Sequence, residues 1–408
     1  MTPRIDGERL WRSLMALAEI GATEGGGVRR LALTDEDKRG RDLFSRWCSE
    51  ARLELSVDAV GNLFARRRGR DARRAPVLTG SHLDTQPNGG RFDGAYGVLA
   101  ALEVVRALND AGVETDAPLE VAVWTNEEGT RFAPSMMGSM AFAGMLPLDA
   151  VLATADARGS NVGAELERIG YRGEGLGGRA IDAYFEAHIE QGPVLEERRC
   201  TIGVVTGGQG QRWYDARLRG QAAHAGTTPM ERRRDALVGA AELLLAVQRI
   251  GLRFGGYATV GRLDVQPNSR NVIPGEVALS IDIRHPADAT RLDMDQALHH
   301  AVDEVANRFA LEAQLVPLLD QPSTPFDPRC IEVVRDAAAC EGLSRMDIVS
   351  GAAHDAIAMA HMAPTAMVFV PCAGGISHNE AESATPADLA AGCQVLLNAV
   401  LARAGAGG

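Results

Sequence analysis

The stretch Pro76-Val77-Leu78-Thr79-Gly80-Ser81-His82-Leu83-Asp84-Thr85, running on to Gly90-Arg91-Phe92-Asp93-Gly94, decides how the chain is read. Residues 76–83 predict a short buried strand that brings His82 to its carboxyl end, where open α/β sheets place their ligands. Eleven positions later, Asp93 stands between Phe92 and Gly94. An imidazole and a carboxylate in glycine-rich turns beyond a strand suit a hydrolytic metal site.

Working outward, three more apolar runs end in the same way. Residues 119–125 lead to Asn126-Glu127-Glu128-Gly129, residues 184–187 to His188-Ile189-Glu190-Gln191-Gly192-Pro193, and residues 367–371 through Gly374-Gly375 to Ser377-His378. Adjacent carboxylates such as Glu127 and Glu128 divide naturally into two tasks: one ligates metal, and its neighbour stays free to move protons. Any one of these residues alone is a polar strand-end group with ordinary hydrogen bonds. Three histidines, an aspartate and a glutamate, each just past a predicted strand, point instead to a site.

A chain of 408 residues exceeds what one hydrophobic core usually holds, so two domains are expected. With 46% hydrophobic and 24% charged residues, the composition is that of a globular protein. A net charge of −12 argues against a nucleic-acid partner, which would need clustered Lys and Arg. The one basic run, Arg66-Arg67-Arg68-Gly69-Arg70 with Arg73-Arg74, reads as a solvated turn between strands. Six cysteines without close pairing indicate reduced thiols and a cytoplasmic protein. Early acids (Asp6, Glu8, Glu19) and the lack of an apolar h-region argue against a signal peptide. No apolar run is long enough to span a membrane.

The first half alternates strands with helical stretches such as 97–112, where Val98, Leu102, Val105 and Leu108 recur at helical spacing. This predicts an α/β domain with a sheet flanked by helices. From residue 213 the order changes to a strand (213–218), a helix (229–250), two strands (257–265 and 276–284), a helix (287–310) and a strand (313–319). That β-α-β-β-α-β order is a ferredoxin-like α+β unit inserted into the first domain. The expected boundaries are 1–212 and 326–408 for the discontinuous catalytic domain and 213–325 for the insert, with residues 321–325 as the return linker. A helix over 386–402 closes the catalytic domain, and the glycine-rich end is expected to be loose.

Taken together, His82-x-Asp84, Gly90-Arg91-Phe92-Asp93-Gly94, Asn126-Glu127-Glu128-Gly129, His188-Ile189-Glu190-Gln191-Gly192-Pro193, His224-Ala225-Gly226-Thr227-Thr228-Pro229, Asn271-Val272-Ile273-Pro274-Gly275 and Ser377-His378 resemble the hydantoinase/carbamoylase amidases. These belong to the di-zinc peptidase group that includes carboxypeptidase G and aminoacylase. The resemblance runs from about residue 10 to the C-terminus. There are two departures. Ala353 stands in Ser350-Gly351-Ala352-Ala353-His354-Asp355 where glycine is common, and Glu380 follows Ser377-His378-Asn379 where proline is usual. Neither removes a ligand, but both bear on the pocket wall.

The resemblance implies two divalent metal ions per subunit, zinc first, with Mn²⁺, Co²⁺ or Ni²⁺ as alternatives. It makes Asp93 the bridge, with His82, Glu128, His188 and His378 as the remaining ligands. Asp84 would hold the His82 imidazole, and Glu127 would be the general base. His224 would reach a neighbouring subunit's site and stabilise an oxyanion, which implies a homodimer formed through an inserted lid domain. Structure alone could explain the loop after His224, because Thr228-Pro229 reads as a helix cap. Arg284 would receive a substrate carboxylate as a two-point fork rather than sit in a surface ion pair. Asn271 and Gln191 complete the substrate contacts. His354 and Asp355 are pocket wall, and Gly207-Gly208-Gln209-Gly210 lacks the helix and distal acid of a nucleotide loop.

The expected activity is hydrolysis of the ureido or carbamoyl C–N bond of a small carboxylate: N-carbamoyl-L-amino acids or N-carbamoyl-β-alanine, giving the amino acid, ammonia and carbon dioxide. Allantoate amidohydrolase is the first alternative and a dipeptidase or deacylase the next. A ligand-binding protein that has lost the chemistry is the alternative from another class.

Overall fold

The computed structural model describes residues 3–175 and 177–405; the glycine-rich end expected to be loose lies largely outside them. The chain divides into two compact units, Met1–Gly207 with Pro325–Gly408, and Gly208–Thr324.

The first unit is built on a mixed sheet. Its strands run in the order Glu54–Val57, Leu63–Arg67, Leu119–Trp124, Val77–His82, Ala183–Ile189, Thr365–Val370, Ile202–Gly208 and Thr324–Pro325, with Arg345–Ser350 also paired to Ile202–Gly208. The four from Leu119–Trp124 to Thr365–Val370 are mutually parallel, while Leu63–Arg67 on one side and Ile202–Gly208 on the other pair antiparallel with that block. All four parallel strands are buried at every position, which is why they read as continuous apolar runs rather than alternating ones. Being parallel and in near register, with His82 opposite Trp124 and His188 opposite Phe369, they end along one edge of the sheet. The glutamate pair and the histidines are therefore gathered there.

Helix Ala95–Asp110 starts two residues before the expected 97–112 and packs on the sheet with almost no exposed face. Helix Pro386–Ala404 has Pro at its first turn and the Thr385 side chain capping the Asp388 amide. Two further helices, Gly7–Ala18 and Asp35–Glu50, complete the N-terminal part.

In the second unit, strands Glu312–Gln321, Gly210–Arg219, Glu276–His285 and Tyr257–Gln266 lie side by side in that order, all antiparallel. Along Glu276–His285, Val277, Leu279, Ile281 and Ile283 are buried in a cluster with Leu243 and Val247 of helix Ala236–Phe254 and Met294 and Leu298 of helix Asp288–Phe309. Glu276, Ala278, Ser280, Asp282 and Arg284 alternate onto the opposite, partly open face.

One local expectation is corrected here. Thr228-Pro229 does not open the long helix. Pro229 precedes a single 3₁₀ turn, Met230–Arg232, and the helix begins at Ala236, with the Asp235 carboxylate accepting the amides of Leu237 and Val238. The break has a partner: Arg233 donates to the carbonyls of Thr228 and Ala225 and holds that loop out of the helix.

Among the described residues, no helix is long and apolar enough to cross a membrane. All six cysteines are unpaired, four of them buried, with Cys200 half-buried and Cys340 exposed.

Candidate metal centre

Four of the five candidate ligands are aimed by a second group; His378 is exposed, and its ring is placed against Asp93 and Glu128. His82 closes its strand, and its Nδ1 lies 2.9 Å from the Asp84 carbonyl oxygen. The Nδ1 of His188 lies 2.9 Å from the carbonyl of Ile189. A carbonyl only accepts, so both rings carry a proton on Nδ1 and turn Nε2, the atom that can ligate a metal, toward Asp93. The turn after His82 returns Asp93 to the same place. Its Oδ1 is 3.3 Å from His188 Nε2 and 3.6 Å from His82 Nε2. Its Oδ2 is 3.2 Å from His378 Nε2, which in turn is 3.4 Å from a Glu128 oxygen.

Two ligand sets result, His82–Asp93–His188 and Asp93–Glu128–His378, joined by the two oxygens of one carboxylate. Bonds of about 2.0–2.2 Å arranged tetrahedrally put neighbouring ligand atoms roughly 3.4 Å apart. The observed separations are of that size, so the residues fit a pair of divalent ions.

The approach is close enough to require glycine next to Asp93. Gly94 has φ +63°, and a Cβ there would lie 2.3 Å from the His82 ring. Asn126, Gln191 and His378 also adopt left-handed backbone, the kind of local strain that collects at functional sites.

Glu127 belongs to neither ligand set, although its Oε2 lies 3.4 Å from His82 Nε2. Its position is set by Asp84, whose role differs from expectation. The Asp84 carboxylate stands 3.9 Å from the His82 ring nitrogen. It accepts instead the amides of Glu127 and Glu128, each at 3.2 Å. The imidazole is held by the Asp84 backbone, and the side chain anchors both glutamates. Gln191 also differs: its amide donates to Asp93 Oδ2 at 2.9 Å and to Ser377 Oγ at 3.1 Å.

Two residues that sequence reasoning missed support the ligands. Glu382 accepts the amides of Phe92 and Asp93 through one oxygen and the Ser377 hydroxyl through the other. Gln86 donates its backbone and side-chain N–H to the two oxygens of Glu128. Glu382, four residues past His378, could have been found as a further acid beside a ligand; Gln86 has no comparable signal.

A third grouping, Glu186–His188–His354, is also close enough to bind a cation. Both oxygens of Glu186 are already engaged, however, by Ser81, Tyr184 and the Ala356 amide. The His354 ring packs 4.5 Å from that of His188, and Asp355 accepts from Ser139, so this pair is wall. Of the two departures, Ala353 packs against the core. Glu380 fills the space beside Gly25, where a Cβ would lie 2.0 Å from its carboxylate.

The electrostatics show why cations belong here. Burial, then the charges of Asp355 and Glu128, push Glu127 well above the ordinary carboxyl range; burial and Asp93 do the same to Glu128. Glu382 is pushed up to about 7 by burial and by Asp93. His82 is lowered to about 4 by burial. Burial also opposes the His188 cation, but Asp93 more than compensates and raises it to about 9. Charge that would hold a proton on His188 can equally hold a metal ion.

The remaining site residues lie in the second unit. His224 belongs to a two-residue strand, Ala223–His224, paired with Val272–Ile273, and the adjacent Ala225 amide donates to the Asn271 carbonyl. This ribbon keeps the two together. Both side chains are exposed, His224 Nδ1 accepting from the Gly226 amide and Asn271 Oδ1 from Ser269. Arg284 does form the ion pair that its bland reading predicted, with Asp282 two residues earlier, at 2.7 Å.

The sequence model of peptidase family M20/M25/M40 matches residues 78–402. The chain belongs to this family. The M20 family is one of di-metal hydrolases, in keeping with the double ligand set. Over 98% of this chain and 96% of the relative, the protein is 46% identical to N-carbamoyl-L-amino-acid amidohydrolase of Rhizobium meliloti. It is 34% identical to allantoate amidohydrolase of Escherichia coli K12, over 93% of this chain and 94% of that one. A crystal structure of an amidase of the hydantoinase/carbamoylase family from Burkholderia multivorans superposes with a TM-score of 0.96 at 56% identity, covering 99% of both chains. Within the M20 family the protein is thus an amidase of the hydantoinase/carbamoylase group, a hydrolase of carbon–nitrogen bonds other than peptide bonds.

Proposed function

We propose that the protein hydrolyses the ureido carbon–nitrogen bond of a small carboxylate. With water, an N-carbamoyl-L-amino acid or N-carbamoyl-β-alanine would give the free amino acid, ammonia and carbon dioxide. The observation that carries this reading is the paired ligand set joined through Asp93, in a chain that matches an N-carbamoyl-L-amino-acid amidohydrolase along its whole length.

Two divalent ions, Zn²⁺ first and Mn²⁺, Co²⁺ or Ni²⁺ as alternatives, would polarise the ureido carbonyl and activate water when bound. His82, Asp93 and His188 hold one; Asp93, Glu128 and His378 hold the other. Glu127 takes the proton from water and returns it to the leaving nitrogen, and Asp84 keeps it in reach through its amide. Arg284 receives the substrate carboxylate, Asn271 its polar groups and His224 the developing oxyanion, while Gln191 steadies Asp93. Supply of His224 from a second copy through the inserted unit would make the working form a homodimer. The unpaired cysteines favour a reducing cytoplasm.

The allantoate-hydrolysing relative supports a second reading, allantoate as substrate. A dipeptidase or deacylase has less support, and retention of all five ligands and the base argues against a binding protein without activity. The deciding experiment measures ammonia release from N-carbamoyl-L-amino acids, N-carbamoyl-β-alanine, allantoate and dipeptides by the metal-loaded protein. Peptide cleavage without ammonia from any ureide would overturn the proposal.

A further inference from the structure

The two glutamates past strand Leu119–Trp124 are held differently. Both oxygens of Glu128 accept N–H groups of Gln86. The Glu127 carboxylate accepts no hydrogen bond from the described residues; its Oε2 lies 3.4 Å from His82 Nε2. Where the Glu127 carboxylate stands is therefore set by the backbone that carries it. That backbone leaves the sheet at Thr125, beyond the last ladder pair on either side, Val123 with Leu63 and Trp124 with His82.

Asn62, fully buried just ahead of strand Leu63–Arg67, continues the hold with its side chain. Its Oδ1 accepts the Thr125 amide at 3.0 Å, and its Nδ2 donates to the Gly138 carbonyl at 3.0 Å and to Asp58 Oδ2 at 2.8 Å. Gly138 returns a bond from its own amide to the Thr125 carbonyl at 2.9 Å. The Thr125 hydroxyl accepts from Arg41 Nη2 at 3.3 Å. A primary amide offers the same donor and acceptor as a peptide group, so Asn62 stands in for the strand partner that Thr125 lacks. It is fixed in turn by Asp58, whose Oδ1 accepts the amides of Val60 and Asn62 at 3.0 and 2.9 Å. A Cβ on Gly138 would collide with Asn62 Oδ1 and the Thr125 backbone, so this close approach needs glycine. The residues just before Gly138 extend the contact to the base: Met137 donates its amide to the Asn126 carbonyl at 3.2 Å, and Met136 to the Glu127 carbonyl at 2.6 Å.

We infer that Asn62 is a positioning residue for the base. Its amide ties Thr125 to Gly138, the segment ending at Gly138 holds the Glu127 carbonyl, and together they fix where the Glu127 carboxylate emerges. Without the amide, the buried Thr125 N–H loses its partner and the two segments are free to shift against each other. Glu128 keeps its own anchor on Gln86, and the His82 and His188 rings keep their carbonyls, so the ligands do not depend on Asn62. The inference rests on the proposed role of Glu127 as general base.

The test is a double-mutant cycle on the metal-loaded enzyme, with the ureide it hydrolyses fastest as substrate. Asn62→Ala should lower kcat by roughly 10- to 100-fold, while KM and metal affinity, the latter read by chelator competition, stay within about threefold. In the Glu127→Gln background the same change should lower the residual kcat by no more than about threefold, because the group it positions no longer moves protons. Rates are taken per mole of metal-bound protein. Asn62→Asp has the same shape and still accepts the Thr125 amide but gives up the bonds that Nδ2 donates, and it carries the same cycle if Asn62→Ala does not fold. An unchanged kcat, equal factors in both backgrounds, or a metal affinity that falls along with kcat would overturn the inference while the proposed function stands. Near-normal turnover of Glu127→Gln alone would remove the base assignment and this inference with it, whereas ureide hydrolysis itself is judged separately, by ammonia release from the wild type.

Discussion

The metal centre and the His224–Asn271 ribbon hold their residues in opposite ways. In the first unit, His82, Asp93, Glu127 and His188 are buried, and each is held by further protein groups, a backbone carbonyl, a carboxylate or an amide. Such over-determination keeps several negative groups within a few ångströms of one another, an arrangement that costs free energy until cations occupy it. The ribbon is two residues on each strand, and its polar side chains are exposed, with bonds among the described residues to near neighbours. One region is complete once metal is supplied, whereas the other has the form of a group presented to something else. The experiments below can sharpen that contrast or break it.

The largest effect should come from the over-determined region. Chelation, or His82→Ala, should abolish activity, and added Zn²⁺, Mn²⁺ or Co²⁺ should restore it only to the chelated wild type. Metal content by elemental analysis should fall in parallel; a fully active metal-free preparation would rule out the metal centre. Next comes Glu127→Gln, which leaves all five ligands in place. It should keep its metal while kcat falls by about 10²–10⁴, the usual contribution of a positioned proton shuttle. Near-normal turnover would transfer the base role to another group.

Glu382→Gln should be milder. It weakens the anchor on the Phe92 and Asp93 amides without removing a ligand, and losses of this kind lower metal affinity by roughly 10- to 100-fold. A competition titration with a chromogenic chelator reads this directly, and unchanged affinity would show that Glu382 matters only for the fold. Smaller still is Arg284→Lys, expected to raise KM for carboxylated ureides by about tenfold because an ammonium cannot form the planar two-point contact. The same change should have little effect on a ureide whose carboxylate is replaced by an uncharged amide; equal losses on both would mean that Arg284 does not receive the substrate carboxylate.

Much of this arrangement could be read from the sequence, and the limits follow from range. Buried parallel strands announce themselves as apolar runs, and chemistry at their carboxyl ends is a local signal, so the five ligands and the glutamate pair stand out at 82, 93, 127–128, 188 and 378. What the sequence does not announce is which atom of a residue does the work. Asp84 holds His82 through its carbonyl and the glutamates through its carboxylate, a division that depends on the bend of the strand end. The helix start slipped for a similar reason. Thr228-Pro229 is a good cap in isolation, but Arg233 and Asp235, acting across several residues, move the start to Ala236. Glu382 lies near enough to His378 in sequence to be suspected, but its pairing with the Asp93 amide spans 289 positions, and no local pattern announces that.

The smallest expected signal bears most directly on the contrast. If the ribbon serves a second copy, His224→Ala and Glu127→Gln damage different halves of a composite site, and each homodimer should be nearly inactive because every site carries one lesion. A mixed dimer would pair one intact base with one intact His224, giving one whole site and one that is doubly damaged. Random exchange of equal amounts makes half of the dimers mixed, so about a quarter of all sites should recover. Ammonia release should therefore rise from near zero to about a quarter of the wild-type rate after exchange, with mixed dimers verified by native mass spectrometry. Verified exchange without recovery would mean that His224 acts within its own chain or not at all. The ribbon would then be a surface feature, and the contrast with the metal centre would be one of burial alone.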